Sequence, residues 1–273
     1  MRVAVCQMNA GRSDVDVNLE TAVGLLEEAA SGGADLAALP EVWPYYGSAS
    51  HARQIATPVP GPLTEPLAAV ALARGMWVLG GSVYEHGADD RIFNTSVLID
   101  RQGEVVATYR KIHLFHVALD GQPAIRESDL FTAGEQLVTH QTDLGRLGMS
   151  ICYDLRFPEL YRGLVASGAE LLGVPSAFTA VTGEAHWEVL LRARAIEDQC
   201  VVIAPAQWGP WGPPEDGRRT YGHSMVVDAW GRVLAQAPGE GDGVWFADVD
   251  PEETRRVRSV LPVLAHRRLG TVC

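Results

Sequence analysis

The chain has 273 residues, of which 47% are hydrophobic and 21% are charged, a composition typical of a soluble globular protein rather than a disordered, fibrous or disulfide-stapled one. Its 34 acidic residues outnumber its 22 lysines and arginines, which gives a net charge of −12. This acidity argues against a nucleic-acid partner, because phosphate binding needs a cluster of cations and the sequence has no long basic stripe.

The sequence also predicts a cytoplasmic protein with no membrane span. The apolar run over residues 3–8 is too short for the core of a signal peptide. The least polar later stretch, residues 171–183, is interrupted by Gly173 and Pro175. Four scattered cysteines in so long a chain, none of them in a CxxC pair, are typical of a reducing compartment.

Short apolar runs alternate with amphipathic segments, which predicts alternating strands and helices. In chain order, the first half is expected to contain a strand over residues 3–6, a helix over 17–31, a strand over 36–39, a helix over 65–74, a strand over 76–81, and a hairpin with arms at 96–100 and 104–109. The second half is expected to contain a strand over 147–151, a helix from Pro158, a helix over 186–198 and a strand over 200–204.

Two sets of matching residues indicate that the second half repeats the first. Gly-Ala-Asp-Leu at 33–36 and Gly-Ala-Glu-Leu at 168–171, each followed by a proline, are separated by a constant offset of 135 positions. Five hairpin residues recur at a constant offset of 128 positions, from Ser96, Asp100, Gly103, Val105 and Ala107 to Ser224, Asp228, Gly231, Val233 and Ala235. Both matches fall in the same order and in the same elements, which favours an internal duplication.

Each half therefore predicts a mixed sheet covered by helices on one face, because strand–helix alternation is followed by antiparallel strands. Two such halves can pack sheet on sheet. The expected fold is an α/β protein, a four-layer α-β-β-α sandwich of two mixed, internally duplicated sheets. No linker separates the halves, so residues 1–273 are predicted to form one domain.

Cys152 is the first candidate for a catalytic residue, because it follows the strand over 147–151 and precedes the helix from Pro158. Residues at the carboxyl ends of strands in α/β sheets face the usual ligand crevice, and a thiol there can be an activated nucleophile. The alternative is an inert core cysteine. That alternative fits Cys6 and Cys200 better, because both lie inside apolar strands.

Glu41 and Lys111 are the candidate partners of this thiol. Glu41 directly follows the strand over 36–39, and the aromatic residues at 43–46 can desolvate its carboxylate and raise its pKa. Lys111 is the only lysine in the sequence and stands at the end of a predicted strand. A lysine is a compact charge whose pKa shifts on burial. The alternative for each residue is an ordinary surface charge.

The eight histidines are weaker candidates. His113 and His116 are three residues apart, but no third ligand completes a spaced cluster, so we predict no metal site. His186 is expected to open a helix and to form part of a pocket wall. Histidine is the usual base beside a nucleophilic cysteine, yet none of the eight follows a strand as Cys152 does.

With a glutamate, a lysine and a cysteine at separate strand ends, the chain resembles the nitrilase superfamily of carbon–nitrogen hydrolases. Three motifs carry the resemblance: Leu-Pro-Glu at 39–41, Tyr-Arg-Lys-Ile-His-Leu-Phe at 109–115, and Ile-Cys-Tyr-Asp-Leu-Arg-Phe-Pro-Glu-Leu at 151–160. The resemblance covers residues 3 to about 268. Segments 182–197 and 222–228 are similar to the branch of deaminated-glutathione amidases and omega-amidases.

The resemblance implies a mechanism without a cofactor, in which Glu41 is the general base, Lys111 the electrophilic stabiliser and Cys152 the nucleophile that forms a thioester. It also implies a second glutamate after the lysine motif, Glu127, which is expected to orient Lys111 or the water. Tyr46, Tyr153 and His186 are expected to line the pocket and bind substrate. The implied substrate is a small carboxylate-bearing amide, and the implied assembly is a homodimer or a larger homo-oligomer.

Three points remain open at this stage. Nitrile or N-carbamoyl amino acid hydrolysis uses the same three residues, and a non-catalytic module could retain the fold. Segments 117–125 and 208–219 depart from the branch's pattern. Both can border the pocket, so the resemblance leaves the exact substrate open. Arg156 and Glu159 are expected to form a structural ion pair. An acidic protein that binds an anionic amide needs cations near its site in addition to Lys111, and Arg218 or Arg219 is the candidate.

Overall fold

The structure, a computed structural model, describes residues 1–11, 14–118 and 124–269. Its strands in chain order are β1 (Arg2–Gln7), β2 (Leu36–Ala38), β3 (Trp77–His86), β4 (Ile92–Ile99), β5 (Val105–Arg110), β6 (His116–Val117), β7 (Ile125–Arg126), β8 (Thr139–Thr142), β9 (Gly145–Met149), β10 (Leu171–Gly173), β11 (Val201–Ala204), β12 (Trp208–Pro210), β13 (Arg219–Tyr221), β14 (Met225–Val227), β15 (Val233–Gln236) and β16 (Gly243–Asp248).

The helices in the described ranges are α1 (Val15–Ser31), α2 (Ala49–Ile55), α3 (Glu65–Arg74), α4 (Pro158–Ala166), α5 (Ala180–Asp198) and α6 (Pro251–Val260). Three short 3₁₀ helices cover Glu127–Asp129, Cys152–Arg156 and Pro214–Asp216. The sequence predicted that this second long helix of the second half starts at residue 186, but α5 starts six residues earlier, at Ala180. Its first turns contain Gly183, which disfavours a helix but allows the Tyr221 ring to lie directly against the backbone.

Twelve strands form two six-stranded mixed sheets, which confirms the predicted fold class. Their orders are β16-β1-β2-β3-β4-β5 and β15-β14-β11-β10-β9-β8. In the first sheet β1, β2 and β3 are parallel and β4 and β5 continue antiparallel. In the second sheet β9, β10 and β11 are parallel and β14 and β15 continue antiparallel. The two halves therefore share one topology, as a duplication requires.

The matched hairpin turns show the same duplication in atomic detail. The Asp100 carboxylate accepts two backbone N–H groups within the β4–β5 turn. The Asp228 carboxylate does the same in the β14–β15 turn. The glycines of these turns, Gly103 and Gly231, have φ of +79° and +85°, a backbone region that favours glycine.

Alternation along β1 shows how the four layers pack. Val3 and Val5 are buried in the core cluster that joins the two sheets, whereas Ala4 and Cys6 are buried under the helices that cover the first sheet. Cys6 and Cys200 are both fully buried, as expected of core cysteines. Burial raises the pKa of Cys6 well above its ordinary value and that of Cys200 to about 12, which favours the protonated thiol.

Strand β16 completes the first sheet from the far end of the chain. It pairs antiparallel with β1 along six residues, from Arg2 opposite Asp248 to Gln7 opposite Gly243. The Met1 ammonium adds a hydrogen bond of 2.8 Å to the Val249 carbonyl. In the second sheet the corresponding position beside β9 is filled by β8, its neighbour in sequence.

Candidate active site

Three strand ends bring Glu41, Lys111 and Cys152 together, as their positions in the sequence suggested. Glu41 follows β2, Lys111 follows β5 and Cys152 follows β9, and all three are at least 92% buried. The Lys111 Nζ donates a hydrogen bond of 2.8 Å to Glu41 Oε1. Burial and the neighbouring Glu41 carboxylate raise the pKa of Cys152 well above its ordinary value, and Lys111 opposes this rise. At neutral pH the thiol is therefore protonated and needs a base.

The Glu41 carboxylate is oriented by donors from both halves of the molecule. Its Oε1 accepts from the Asn94 side chain at 2.9 Å as well as from Lys111. Its Oε2 accepts from the Ala177 backbone at 2.8 Å. Sequence reasoning missed Asn94, because an asparagine within a strand carries no local signal of function. These contacts fix the orientation of the carboxylate.

Lys111 lies between two carboxylates. Its Nζ also donates to the Glu127 carboxylate at 2.9 Å. Burial alone would lower the pKa of Lys111, but Glu127 and Glu41 outweigh burial and raise that pKa well above its ordinary value. The side chain is fully buried and remains an ammonium. It is therefore a fixed positive charge at the site.

Glu127 lies beside Lys111, in the place that the resemblance implied. It opens the 3₁₀ helix after β7, and its Oε2 accepts from the Phe115 backbone at 2.8 Å. Burial raises the pKa of Glu127, while the Lys111 ammonium opposes that shift. The contact orients Lys111, so the geometry suits a positioning residue.

Cys152 stands in a strained backbone turn between β9 and α4. Its φ is +46°, a left-handed region that residues other than glycine rarely adopt. Its N–H donates to the Pro175 carbonyl at 3.0 Å, which holds the turn against β10. The following residue, Tyr153, lies in the first turn of a 3₁₀ helix, where backbone N–H groups have no intrahelical acceptor. This amide can donate to an oxyanion formed beside the thiol.

Asp154, which sequence reasoning left without a role, connects the cysteine loop to the lysine loop. Its fully buried carboxylate accepts from the Tyr109 hydroxyl at 2.7 Å and from the Ile151 backbone at 2.9 Å. It also contacts His113 through the backbone N–H at 3.0 Å and the ring Nδ1 at 2.7 Å. His113, which lies within the lysine motif, is therefore paired with a structural carboxylate.

Replacing Asp154 with asparagine is expected to lower the free energy of unfolding by about 2–4 kcal/mol. An amide NH₂ in place of one oxygen cannot accept the hydrogen bonds that the carboxylate accepts now, and buried donors are left unpaired. Urea unfolding measures the loss. Asp100→Asn in an exposed turn is the matched control and is expected to cost less. An equal loss for both variants would contradict the bridging role of Asp154.

A narrow cavity of about 10 Å³ opens at Cys152 and is lined by Glu41, Tyr46, Phe115, Glu127, Cys152, Tyr153, Arg156, Ala177, Phe178, Thr179 and Thr182. Tyr46 and Tyr153 thus lie on the wall, where the sequence placed them. His186 is exposed on α5 and reaches the cavity only through Arg156, whose Nη1 lies 3.2 Å from the His186 Nδ1. His186 lies on the outer side of the helix, so it does not line the cavity as the sequence predicted.

Arg156 lies on the cavity wall and does not form the ion pair with Glu159 that the sequence suggested. Its guanidinium carbon lies 4.9 Å from the centre of the Phe178 ring and 5.8 Å from that of Tyr153. The 3₁₀ turn after Cys152 directs Arg156 to the cavity, while Glu159 stands in the first turn of α4. The cation nearest the thiol's cavity besides Lys111 is therefore Arg156.

Arg218 and Arg219 have different surroundings from each other. Arg219 forms an ion pair with Glu240 and is partly exposed. Arg218 lies over the Trp211 ring, with its guanidinium carbon 5.0 Å from the ring centre. Of the unusual segments, 208–219 forms β12 and a turn beside the site, whereas residues 119–123 lie outside the described residues.

The described parts of the chain contain no group of three or more metal-ligating side chains of the kind that holds a metal ion. Within those same residues, no helix is both long enough and apolar enough to cross a membrane.

Residues 2–259 match the family model described as carbon-nitrogen hydrolase. The chain therefore belongs to the carbon–nitrogen hydrolase family, within the nitrilase superfamily, which confirms the resemblance found in its motifs. A curated relative, deaminated glutathione amidase of Bos taurus, is 45% identical over 272 residues, which cover 97% of this chain and 81% of that protein.

Two solved structures share the fold. The NitFhit protein of C. elegans is 38% identical with a TM-score of 0.89, and the match covers 98% of this chain and 65% of that chain. A Glu→Gln variant of the amidase from Nesterenkonia sp. AN1 is 26% identical with a TM-score of 0.79, over 98% of this chain and 97% of that one. That amidase carries the acetamide moiety of fluoroacetamide added covalently at its active-site cysteine.

Proposed function

We propose that the protein hydrolyses the amide of deaminated glutathione, with Cys152 as nucleophile, Glu41 as general base and Lys111 as electrophilic stabiliser. The observation that carries this proposal is the contact of Lys111 with Glu41 in the buried site that also holds Cys152. The name of the Bos taurus relative supports the choice of substrate.

In the first half-reaction Glu41 takes the proton of the Cys152 thiol as the sulfur attacks the amide carbon. The carbonyl oxygen becomes an oxyanion, which the Lys111 ammonium and the Tyr153 N–H stabilise; each such donor contributes about 3–4 kcal/mol to the transition state. The C–N bond then breaks as Glu41 returns the proton to the leaving nitrogen. A thioester on Cys152 and a free amine result.

In the second half-reaction Glu41 takes a proton from a water molecule, whose oxygen attacks the thioester carbon. The same donors hold the second oxyanion. The C–S bond breaks, the carboxylic acid leaves, and Glu41 returns the proton to the sulfur. Glu127 acts as a positioning residue through its contact with Lys111.

The position of Arg156 favours a substrate whose acyl half carries a carboxylate. It is a cation on the wall of the same cavity as Cys152, and its partners are aromatic and imidazole rings rather than a carboxylate. An arginine can bind a carboxylate through two parallel hydrogen bonds. The keto-acid half of deaminated glutathione provides this group.

Replacing Arg156 with leucine is expected to raise KM for deaminated glutathione by about 10- to 100-fold and to change kcat less, because a charge-assisted hydrogen bond is lost. Steady-state kinetics with a neutral amide of similar size is the comparison, and its kcat/KM is expected to change little. A parallel loss for the charged and the neutral amide would contradict a role for Arg156 in binding the carboxylate.

The proposed function is tested by measuring product release from deaminated glutathione, keto-acid omega-amides, simple nitriles and N-carbamoyl amino acids. The expected result is the highest kcat/KM for deaminated glutathione, with cysteinylglycine as the amine product. Faster hydrolysis of a nitrile or an N-carbamoyl amino acid would replace this proposal with one of those activities. No turnover of any substrate would favour a non-catalytic module.

We also propose that the protein is a single-domain, cytoplasmic homodimer or larger homo-oligomer. Helix α5 exposes three apolar side chains, Val181 at 54%, Val189 at 67% and Ile196 at 50%, and a partner copy would cover Val189 and Ile196. Sedimentation velocity tests the assembly, and a monomer at micromolar concentration would contradict it.

A further inference from the structure

A second cavity of about 160 Å³ lies next to the cavity at Cys152. Thr179 lines both cavities. The two are also joined through aromatic rings, because Tyr46 on the wall of the first stacks on Trp211 on the wall of the second, with ring centres 4.1 Å apart. The cavity at Cys152 has room for about one water molecule, so a bound substrate must extend beyond it.

The second cavity is lined by hydrogen-bond donors that have few acceptors in the protein. Arg218 lies over the Trp211 ring, and its one ion pair joins Nε to the Asp216 carboxylate at 3.4 Å. That Nε is buried, and it has no hydrogen-bond acceptor among the described residues. The Trp211 side chain is 94% buried, and its indole Nε1 likewise has no acceptor in the described part of the chain. Buried donors without acceptors are costly, and a ligand oxygen would satisfy them.

The start of helix α5 adds positive potential to the same cavity. Ala180 and Val181, the first residues of this 19-residue helix, line the cavity. The Thr179 hydroxyl does not cap the helix, because it bonds to the Thr182 hydroxyl at 2.7 Å. Unpaired amides at a helix start favour a negative charge. Arginine, indole N–H and helix amides therefore surround one small cavity in a protein whose net charge is −12.

We propose that this second cavity binds the amine half of the substrate and selects amines that carry a carboxylate, with Arg218 as the main contact. The inference rests on the proposed amidase function and extends it from the acyl half to the leaving group. The acyl half lies at Cys152 and Arg156, and the leaving amine passes Thr179 into the second cavity. An amide that releases ammonia leaves this cavity unused.

The test compares three substrates: deaminated glutathione, the same molecule with its terminal carboxylate converted to a carboxamide, and the omega-amide of the same keto acid, which releases ammonia. The native protein is expected to prefer the free carboxylate over the carboxamide. Arg218→Gln is expected to lower kcat/KM for the free carboxylate by about 10- to 100-fold, mostly through KM, because a charge-assisted contact is lost. Activity on the other two substrates is expected to change less than threefold.

The matched control is Arg256→Gln, an arginine on α6 that is paired with Glu253. It is expected to leave all three activities unchanged. An equal loss on all three substrates in Arg218→Gln, or no loss on deaminated glutathione, would overturn the role of the second cavity. The native protein would still hydrolyse deaminated glutathione in either case, whereas its failure to do so would overturn the proposed function itself.

Discussion

Replacing Cys152 with alanine is expected to lower kcat by at least about 10⁴-fold, because the nucleophile that forms the thioester is removed. The fold is expected to survive. The side chain loses one sulfur atom, and the strained turn is held by the backbone bond to Pro175 and by the Asp154 carboxylate. Product release under single-turnover conditions measures the loss, and thermal unfolding measures the stability.

The matched control is Cys6→Ala, a buried thiol on the helix side of β1. It is expected to keep its activity and to lose modest stability from the small cavity that it creates. Turnover by Cys152→Ala within a hundredfold of the native rate would contradict thioester catalysis. Mass spectrometry of a reaction quenched in acid is expected to show the acyl half on the native protein and not on the variant.

Replacing Lys111 with methionine is expected to reduce activity by at least about 10²-fold and the free energy of unfolding by about 3–5 kcal/mol. The ammonium lies between the buried carboxylates of Glu41 and Glu127, and its removal leaves two like charges without the cation that they share. The ammonium no longer opposes the effect of burial on Glu127, so the pKa of that carboxyl rises further in the folded protein. An acid whose folded pKa is raised destabilises the fold increasingly as pH rises above the unfolded value of about 4.3.

The stability loss of Lys111→Met is therefore expected to be largest at neutral pH and to shrink near pH 4. Urea unfolding at both pH values measures it. Adding Glu127→Gln to Lys111→Met removes one of the two charges, so it is expected to restore part of the stability and none of the activity. A loss that is the same at both pH values, or a double variant that is no more stable, would contradict this electrostatic account.

Local sequence patterns predicted the parts of the fold that depend on local physics. Short apolar runs located β1, β2, β3, β9 and β11, and the matched Asp100 and Asp228 turns showed the duplication. The positions of Glu41, Lys111 and Cys152 after strands identified them as candidates, because strand carboxyl ends in α/β sheets face the usual ligand crevice. Glu41 and Lys111 follow strands of the first sheet and Cys152 follows a strand of the second, so their meeting depends on how the two sheets pack. Their chemical roles came from the family resemblance.

The features that sequence reasoning missed depend on long-range contacts. Strand β16 pairs with β1, Asn94 contacts Glu41, and Asp154 contacts Tyr109 and His113. Each of these partners is more than 40 positions away in the chain, so no local pattern indicates them. The ion pair assigned to Arg156 was wrong because a short 3₁₀ turn rotates its side chain toward the cavity. His186 was placed on the wrong side of α5, since the helix begins earlier than its weak helix formers suggested.

The pairing of β1 with β16 has a consequence for the order of events during synthesis. A ribosome releases β1 first, but the strand that covers its edge is made more than 200 residues later. Until then the first half has its helices and its other strands, yet it presents an unpaired edge to its surroundings, where another growing chain can bind. The second half faces no such delay, because β8 precedes β9 in the chain. Completion of the first sheet is thus a late step, because it must follow synthesis of the more than 200 residues between β1 and β16.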